Sequence, residues 1–350
     1  MRQKLECWKA IPPLATTHAG LWLDAFIGEQ SRDNTESKRC LVQQVAQLAV
    51  SDPYVQFFTR WEEMLKTYCP VSPRPAKVRT RLAVGLGGAG VLETAITLHH
   101  TYGVPYIPGS ALKGLAASYV RQCLSDQQWG QWGPDEKGEL VWEPGKAYRL
   151  IFGDTTSAGY ITFFDALYVP GSGHGGTPLH PDIITVHHPD YYQNKDKPPA
   201  DWDSPTPVPF LTATGDYLVA LAAPAVADWI APWIEQTFTI LAQALDQWGV
   251  GAKTSSGYGR MELQMPAPPP GLLEVQDLLA RLNDLPDARV ATEINRFVTE
   301  WRNLSVDQSL RQQVAQAIIN KVRAAGREKN SRNKPWFQEL LASSPESDNA

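Results

Sequence analysis

The chain has 350 residues, of which 43% are hydrophobic and 20% charged, and its formal net charge is −5. This composition is that of a globular protein with a sizeable core. At roughly 150 residues per domain the length predicts two domains, or one large domain with an appendage. The acidic balance excludes a uniformly basic nucleic-acid binder, but it leaves room for a local basic groove.

The cysteines and the apolar runs indicate the cellular compartment in which the protein is expected. The four cysteines are widely spaced and form no CxxC pair, which favours reduced thiols over a zinc site or a disulfide framework. The first residues lack the apolar run of a secretory signal. The longest apolar run, residues 217–227, is too short for a bilayer and contains a proline. We therefore expect a cytoplasmic protein without a membrane segment.

Residues 1–78 are predicted to form a helical N-terminal region packed on the core. Apolar residues recur at helical spacing between residues 15 and 69, with a break at Asp52–Pro53. The three prolines of residues 69–77 then predict an extended connector.

Residues 79–265 are predicted to form one α+β domain. Strands or extended segments are expected at 81–84, 93–99, 148–154, 159–169, 216–223 and 260–265. Helices are expected from residue 111 to 124, capped by Ser110, and from Pro224 to Trp248. Residues 170–209 show little periodicity and are interpreted as a long insertion. The order of elements predicts a ferredoxin-like (RRM-like) βαββαβ domain, with an antiparallel sheet and helices on one face.

The rest of the chain is predicted to be a helical C-terminal extension. Residues 266–343 comprise a proline-rich linker followed by helical periodicity over 272–342, and residues 344–350 are expected to be disordered.

Three tempting motifs do not support a cofactor or a metal. GLGGAG at 85–90 lacks the long helix and the acidic residue of a dinucleotide site. Lys253–Thr254 lacks the glycine spacing of a phosphate-binding loop and follows a helix instead of preceding one. The pairs His99–His100 and His187–His188 would point to opposite faces of a strand. We therefore predict no cofactor and no metal.

Two segments have the composition of a phosphate-binding site. Gly109, Ser110 and Lys113 lie at the start of a predicted helix, where free N–H groups bind anions. The stretch GVGAKTSSGYGR, 249–260, combines glycines with hydroxyl groups and cations that suit a sugar–phosphate backbone, and its tyrosine could stack on a base. The alternatives are a solvated lysine beside a tight Gly–Ser cap, and an ordinary turn with its tyrosine in the core.

Basic residues cluster in two further places, at Arg74, Lys77, Arg79 and Arg81, and between Lys321 and Lys334. Such runs are usually solvated faces, so they add little by themselves.

Three ordered motifs resemble the RAMP superfamily of CRISPR RNA-guided effector subunits. They are PYIPGSALKG, FGD followed by GYITFFDA, and GVGAKTSSGYGR, whose glycine-rich loop is the signature of that superfamily. The middle of the chain, DIITVHHPDYYQ and PPADWDSPTPVPFL, is similar to one branch, the sixth subunits of type III-B (Cmr) complexes. The resemblance covers roughly residues 79–265, and the helical extension lies outside it.

The resemblance implies an antiviral ribonucleoprotein subunit that binds the CRISPR guide RNA near its 3′ end. Its implied neighbours are other RAMP backbone subunits and small helical subunits. Insertion 170–209 would form a thumb-like element that reaches the guide–target duplex or the next subunit, so the target RNA duplex would be an indirect partner. The predicted RNA-binding residues are Arg81, Gly109, Ser110, Lys113, His188, Gly249, Gly251, Lys253, Thr254, Ser255, Ser256, Gly257, Tyr258, Gly259 and Arg260.

The resemblance also implies that the chain is not an enzyme. The target-cutting subunits of such complexes carry an aspartate early in the domain, where this chain has GLGGAGVLETA with Glu93 as its only carboxylate. Asp154 and Asp165 are interpreted as structural. Two alternatives remain: a metal-dependent or histidine-assisted endoribonuclease that uses Glu93 or a histidine, and a protein–protein module whose glycine loop packs on a neighbour.

Overall fold

The computed structural model describes residues 13–14, 17–27, 35–88, 90–92, 94–135, 137–188, 191, 198–202, 205–224, 229–267 and 270–344. The chain divides into two compact units, Met1–Met265 and Pro266–Ala350. It is a mixed helix and sheet protein with antiparallel sheets. Among the described residues, no helix has the length and apolarity needed to cross a bilayer.

The first unit contains six described helices and all of the described strands. The helices are α1 (Ala19–Ala25), α2 (Thr35–Ala46), α3 (Asp52–Tyr68), α4 (Gly109–Cys123), α5 (Lys146–Phe152) and α6 (Ala231–Gln247). The strands are β1 (Arg74–Val78), β2 (Tyr106–Ile107), β3 (Gly130–Pro134), β4 (Leu140–Pro144), β5 (Thr162–Phe163), β6 (Ala166–Tyr168), β7 (Leu179–Val186), β8 (Thr206–Ala213), β9 (Asp216–Val219), β10 (Leu221–Ala222) and β11 (Met261–Leu263).

A five-stranded antiparallel sheet with the order β11-β1-β9-β6-β2 forms the centre of the first unit. Strand β1 alternates between buried Ala76 and Val78 and exposed Lys77, as a strand with one buried face does. The N-terminal helices pack on this core. The buried hydroxyl group of Tyr54 in α3 donates a hydrogen bond to the carbonyl oxygen of Tyr168 in β6, at 2.6 Å.

The first strand of the sheet lies earlier than the sequence predicts. We expected a connector at residues 69–77 and a strand at 81–84, but the strand is β1, and the later stretch forms only an isolated bridge between Leu82 and Ala213. Prolines disfavour a strand because they cannot donate to a ladder. Here Pro75 still contributes its carbonyl oxygen, which accepts the amide of Gln264 at 2.9 Å. In the segment predicted at 93–99, the described residues 94–99 likewise form only a bridge, from Leu98 to Pro105.

The strand predicted at residues 148–154 is wrong, because this segment lies in helix α5 and the turn that follows it. The short apolar run that suggested a strand fits a buried helix equally well, and periodicity cannot separate the two. Ile151 and Phe152 are buried on the helix, and Gly153 ends it with a φ of 78°.

The insertion contains regular structure that its composition conceals. Strands β7 and β8 pair in antiparallel register from Leu179–Ala213 to Val186–Thr206. Prolines at positions 181, 207 and 209 interrupt the alternation that would reveal this hairpin. The second hairpin, β3–β4, also lies where the sequence predicted no strands.

The second unit consists of helices with a hydrophobic core of their own. They are α7 (Leu272–Asn283), α8 (Val290–Asn303), α9 (Gln308–Ala324), α10 (Glu328–Ser331) and α11 (Pro335–Ala342). Buried side chains from four of these helices form the core, including Leu278, Phe297, Ile318 and Phe337. The helices lie within residues 272–342, as the periodicity predicts, and the tail beyond Ser344 is outside the described residues.

Candidate nucleic-acid interface

The glycine-rich loop, residues 249–260, joins helix α6 to strand β11. Gly249, Gly251, Gly257 and Gly259 all have φ between 71° and 91°, the left-handed region that glycine adopts without a steric penalty. The loop forms a short 3-10 turn at Thr254–Ser256 and closes when Val250 donates its amide to the carbonyl oxygen of Gly259, at 2.9 Å.

Three of these glycines are needed because the chain itself approaches them closely. A Cβ on Gly251 would overlap the carbonyl oxygen of Ala83, and one on Gly259 would overlap that of Val250. A Cβ on Gly249 would lie 2.9 Å from the carbonyl carbon of Gly259. Close approach to glycine is thus real, but the approaching group is the protein's own backbone.

Gly257 differs from the other three because the space beside it is open. A Cβ there meets no heavy atom within 4 Å. The adjacent Ser255 and Ser256 are exposed, and Lys253 and Thr254 are partly exposed. The segment from Lys253 to Gly257, which we call the outer face of the loop, is therefore the part that a ligand can reach.

Lys253 has a strained backbone. With φ 58° and ψ 31° it is the only described residue other than glycine with a positive φ. Left-handed backbone costs a side-chain-bearing residue roughly 1–2 kcal/mol. The turn depends on this conformation, because the carbonyl oxygen of Lys253 accepts the amides of Ser256 at 2.9 Å and Tyr258 at 3.3 Å. Strain retained at a cation is a feature typical of functional sites.

Tyr258 and Arg260 are used inside the protein. The Tyr258 hydroxyl group donates to Asp182 at 3.0 Å, and burial followed by this hydrogen bond raises the pKa of Tyr258, which keeps the phenol neutral. Arg260 donates to the carbonyl oxygen of Asp246 at 2.7 Å. The sequence predicted RNA contacts for both side chains, and the structure gives each of them a partner within the chain.

Two of the four residues of the basic cluster before the loop are similarly engaged. Arg74 forms an ion pair with Glu235 at 2.6 Å and lies over the ring of Phe238, while Arg79 pairs with Asp246 at 2.6 Å. Arg81 donates no hydrogen bond or ion pair to another described residue, and its charge contributes to lowering the pKa of His180. Its carbonyl oxygen accepts the amide of Gly259 at 2.7 Å, so Arg81 lies directly beside the loop.

The start of helix α4 is not built as the sequence predicts. Ser110 does not cap the helix, because the helix begins at Gly109, its N-cap is Pro108, and Ser110 lies exposed in the first turn. The amide of Gly109 instead donates to a carboxylate oxygen of Asp165, at 2.8 Å. A carboxylate therefore already occupies the position at this helix end where a phosphate was expected.

The two segments of the predicted cradle are not joined by any hydrogen bond or ion pair among the described residues. Helix α4 does contact the end of α6, where the Tyr119 hydroxyl group donates to Gln247 at 3.1 Å. Tyr119 is ten residues beyond Gly109, which corresponds to about 15 Å along a helix. Lys113, partly exposed, lies one turn after Gly109.

Some functional candidates cannot be placed at the loop. His188 is partly exposed at the end of hairpin β7–β8, with its ring 6.5 Å from that of His187. Glu93, the carboxylate of the nuclease alternative, lies outside the described residues. The described part of the chain brings together no three histidine, cysteine or acidic side chains that could hold a metal ion.

Two residues that organise the loop were missed by sequence reasoning. Asp182, from hairpin β7–β8, holds Tyr258, and the hydroxyl group of Thr80 donates to the carbonyl oxygen of Gly257 at 2.8 Å. Both contacts join residues more than 70 positions apart, and no local pattern signals such a pairing.

The fold and this loop define a mixed helix and sheet protein with a glycine-rich loop before its last strand. A model of the RAMP superfamily matches residues 76–262. The CRISPR system Cmr subunit Cmr6 of Pyrococcus furiosus is 32% identical over 251 residues, which cover 59% of this chain and 72% of that protein. The Cmr6 subunit of Saccharolobus solfataricus is 24% identical over 265 residues, 67% of this chain and 75% of that protein. The chain belongs to the RAMP superfamily and, within it, to the Cmr6 family.

Two solved structures contain chains that are similar to this one. A type III-B Cmr-beta complex bound to cognate target RNA contains a chain with 22% identity and a TM-score of 0.47, covering 67% of this chain and 76% of that chain. The crystal structure of Cmr6 from Pyrococcus furiosus has 31% identity and a TM-score of 0.34, covering 55% of this chain and 97% of that chain.

Proposed function

We propose that this chain is a non-catalytic scaffold subunit of a type III-B CRISPR effector complex that binds the guide RNA near its 3′ end. Membership of the Cmr6 family supports a place in such a complex. The observation that carries the RNA-binding role is the outer face of the loop, where a strained lysine and exposed hydroxyl groups surround an open glycine.

The RNA contact that we propose is made to the sugar–phosphate backbone. The ammonium group of Lys253 and the hydroxyl groups of Ser255 and Ser256 are groups that contact phosphates without reading sequence. Arg81 lies beside the loop and adds a second cation. Tyr258, Arg260 and three of the glycines support this surface from behind, because their contacts are internal.

A ferredoxin-like arrangement is part of the proposal. In chain order, α4 lies between β1 and β6, and α6 lies between β9 and β11. In the sheet these four strands are ordered β11-β1-β9-β6, with β2 added at the edge next to β6. This order supports a βαββαβ core whose glycine-rich loop precedes its last strand.

Hairpin β7–β8 is proposed to be the thumb-like element. It carries His188 near its end and contacts the loop through Asp182. In the complex it would extend toward the guide–target duplex or a neighbouring RAMP subunit, with small helical subunits as further partners.

The proposal that the chain has no nuclease activity is supported by the roles of its carboxylates. Asp154 accepts hydrogen bonds from Thr156 and Ser157 within its own turn, and Asp165 holds the start of α4. No observation favours the endoribonuclease alternative. Incubation of the purified chain with labelled RNA and divalent metal would detect cleavage, and cleavage lost on Glu93→Ala would overturn this part.

The experiment that tests the RNA-binding role compares two substitutions of Lys253 in the assembled complex. Lys253→Asn removes the charge while keeping a residue that tolerates the left-handed backbone, and Lys253→Arg keeps the charge. We expect complexes with Lys253→Asn to retain less guide RNA and those with Lys253→Arg to match the wild type. Equal guide content in all three, with the subunit incorporated, would contradict the role. Loss of the subunit itself would favour the protein–protein alternative.

A further inference from the structure

We propose that the second unit carries an additional RNA-binding surface, formed by Arg327, Lys329, Arg332 and Lys334, which we call the basic tip. This inference goes beyond the proposed function, because it concerns a unit outside residues 76–262, the span of the superfamily match. Its expected ligand is the phosphate backbone of single-stranded RNA.

The charge distribution of the second unit singles out the basic tip. Most of the other cations of this unit pair with carboxylates: Arg281 with Asp277 and Glu300, Arg289 with Glu293, Arg296 with Glu300, Arg302 with Glu339, Lys321 with Asp287, and Arg323 with Glu328. Arg311 donates to the carbonyl oxygen of Leu304. The four cations of the basic tip are all exposed, and none forms an ion pair with a described residue.

Hydrogen bonds hold the backbone that carries these four cations. They lie within eight residues, at the corner between α10 and α11. The amide of Lys334 donates to the carbonyl oxygen of Ser331 at 2.9 Å, and the Gln338 side chain donates to that of Arg332 at 2.6 Å. Ser331 is buried and anchors the corner. Four exposed cations within eight residues give this corner a high local density of positive charge, which favours an anionic ligand.

The side chains around the basic tip suit RNA better than an acidic protein. Asn330 and Asn333 are exposed amides of the kind that contact phosphates and sugars. Trp336, partly exposed next to the corner, offers a ring on which a base can stack. Residues 327–334 contain no apolar side chain, whereas a protein interface needs an apolar core.

Binding of the full-length chain to a labelled, unstructured single-stranded RNA across a salt series tests the proposal. The tip variant is Arg327→Ala/Lys329→Ala/Arg332→Ala/Lys334→Ala. A control with the same change in net charge is Arg60→Ala/Lys66→Ala/Lys137→Ala/Lys146→Ala, four exposed positions in the first unit. At about 0.7 per phosphate contact, removing four contacts should lower the slope of log affinity against log salt by about 2.8.

Measuring Lys253→Asn in the same salt series separates the contribution of the basic tip to RNA binding from that of the loop. A slope that is reduced in the tip variant but not in the charge-matched control supports the basic tip, whether or not Lys253→Asn also reduces the slope. Equal losses in the tip variant and the charge-matched control would overturn the proposal, because net charge would then account for both. Unchanged binding by the tip variant, or no binding by the wild type at low salt, would also overturn it. If polyglutamate displaces the labelled RNA as effectively as unlabelled RNA does at equal charge, the proposal is overturned and an acidic protein becomes the favoured ligand.

Discussion

The hydroxyl group of Tyr258 lies 3.0 Å from a carboxylate oxygen of Asp182 and donates a hydrogen bond to it. This bond joins the glycine-rich loop to hairpin β7–β8, two segments that are 76 residues apart in the chain. The loop that we propose to contact RNA is therefore held by the element that we propose to be the thumb.

Tyr258→Phe removes this hydrogen bond and leaves the ring in place. We expect the free energy of unfolding to fall by about 1 kcal/mol, the usual net contribution of such a bond. The loss will be larger if no water molecule replaces the hydroxyl group as a donor to the Asp182 carboxylate. Thermal unfolding measures the change. Tyr160→Phe is the control because that side chain is half exposed and donates no hydrogen bond within the described structure. Equal stability of Tyr258→Phe and wild type would mean that the bond does not hold the loop.

Gly259→Ala and Gly257→Ala separate close packing from backbone strain. Both glycines have a positive φ, so each alanine incurs the left-handed penalty of about 1–2 kcal/mol. Only Gly259→Ala also drives a Cβ into the carbonyl oxygen of Val250, and we expect it to lower stability by several kcal/mol or to prevent folding. Chemical denaturation compares them. Similar stabilities for the two variants would show that the loop relaxes around Gly259.

Lys253→Gly tests whether the strained lysine is retained for function. Glycine removes the left-handed penalty of about 1–2 kcal/mol and adds an unfolded-state entropy cost of about 0.4–1 kcal/mol. We expect stability to stay unchanged or rise by up to about 1.6 kcal/mol, while guide retention in the complex falls. If both stability and guide retention fall together, the lysine supports the fold and the functional interpretation of its strain is wrong.

Asp154 gives the turn after α5 a predictable pH dependence. Hydrogen bonds from Thr156 and Ser157 lower the pKa of Asp154 from 3.8 to about 2. Because the folded-state pKa lies below the ordinary value, the carboxylate stabilises the fold above pH 3.8. That contribution is lost as the pH falls from 3.8 toward about 2.

Asp154→Asn keeps an acceptor oxygen and abolishes the titration. Its stability should lie below that of wild type at neutral pH, because the charged acceptor and its ion pair with Arg149 are lost. It should also lose less stability on acidification from pH 3.8 toward about 2, so that the two proteins converge at low pH. Thermal unfolding of both proteins at neutral pH and between pH 3.8 and about 2 measures this difference. Parallel acid sensitivity in both proteins would show that Asp154 does not titrate with a lowered pKa.

Substitution of Asp165 tests whether its carboxylate and RNA phosphate compete for the start of helix α4. Asp165→Ala removes the acceptor of the Gly109 amide, and loss of such a cap costs about 1 kcal/mol. If RNA phosphate also competes for this helix end, Asp165→Ala should raise RNA affinity while lowering stability. An affinity that does not change would exclude Gly109 and Ser110 from the RNA contact.

Long periodic segments were predictable from the sequence, whereas short segments were not. Helices α4 and α6 and the helices of the second unit repeat their apolar residues every three or four positions over several turns. Helix α5 is short, and a run such as RLIF fits a strand as readily. Strand β1 was hidden by prolines that a strand accommodates only at particular positions.

The site was predictable in location but not in its internal contacts. Glycine content marks residues 249–260 as a place of close approach, and the structure shows that Ala83 and Val250 provide most of it. Those contacts, and the pairing of Tyr258 with Asp182, depend on segments distant in sequence. Composition therefore predicts a tight loop, while only the fold distinguishes its outer face from its supports.

The most direct test of the central claim is photocross-linking within the assembled complex. Guide RNA carrying 4-thiouridine in its 3′ portion would be irradiated, and the cross-linked peptides of this chain identified by mass spectrometry. The proposed function predicts cross-links to the peptide that contains Lys253–Gly257, and their reduction in Lys253→Asn. Cross-links confined to other subunits, or to parts of this chain away from the loop, would contradict it.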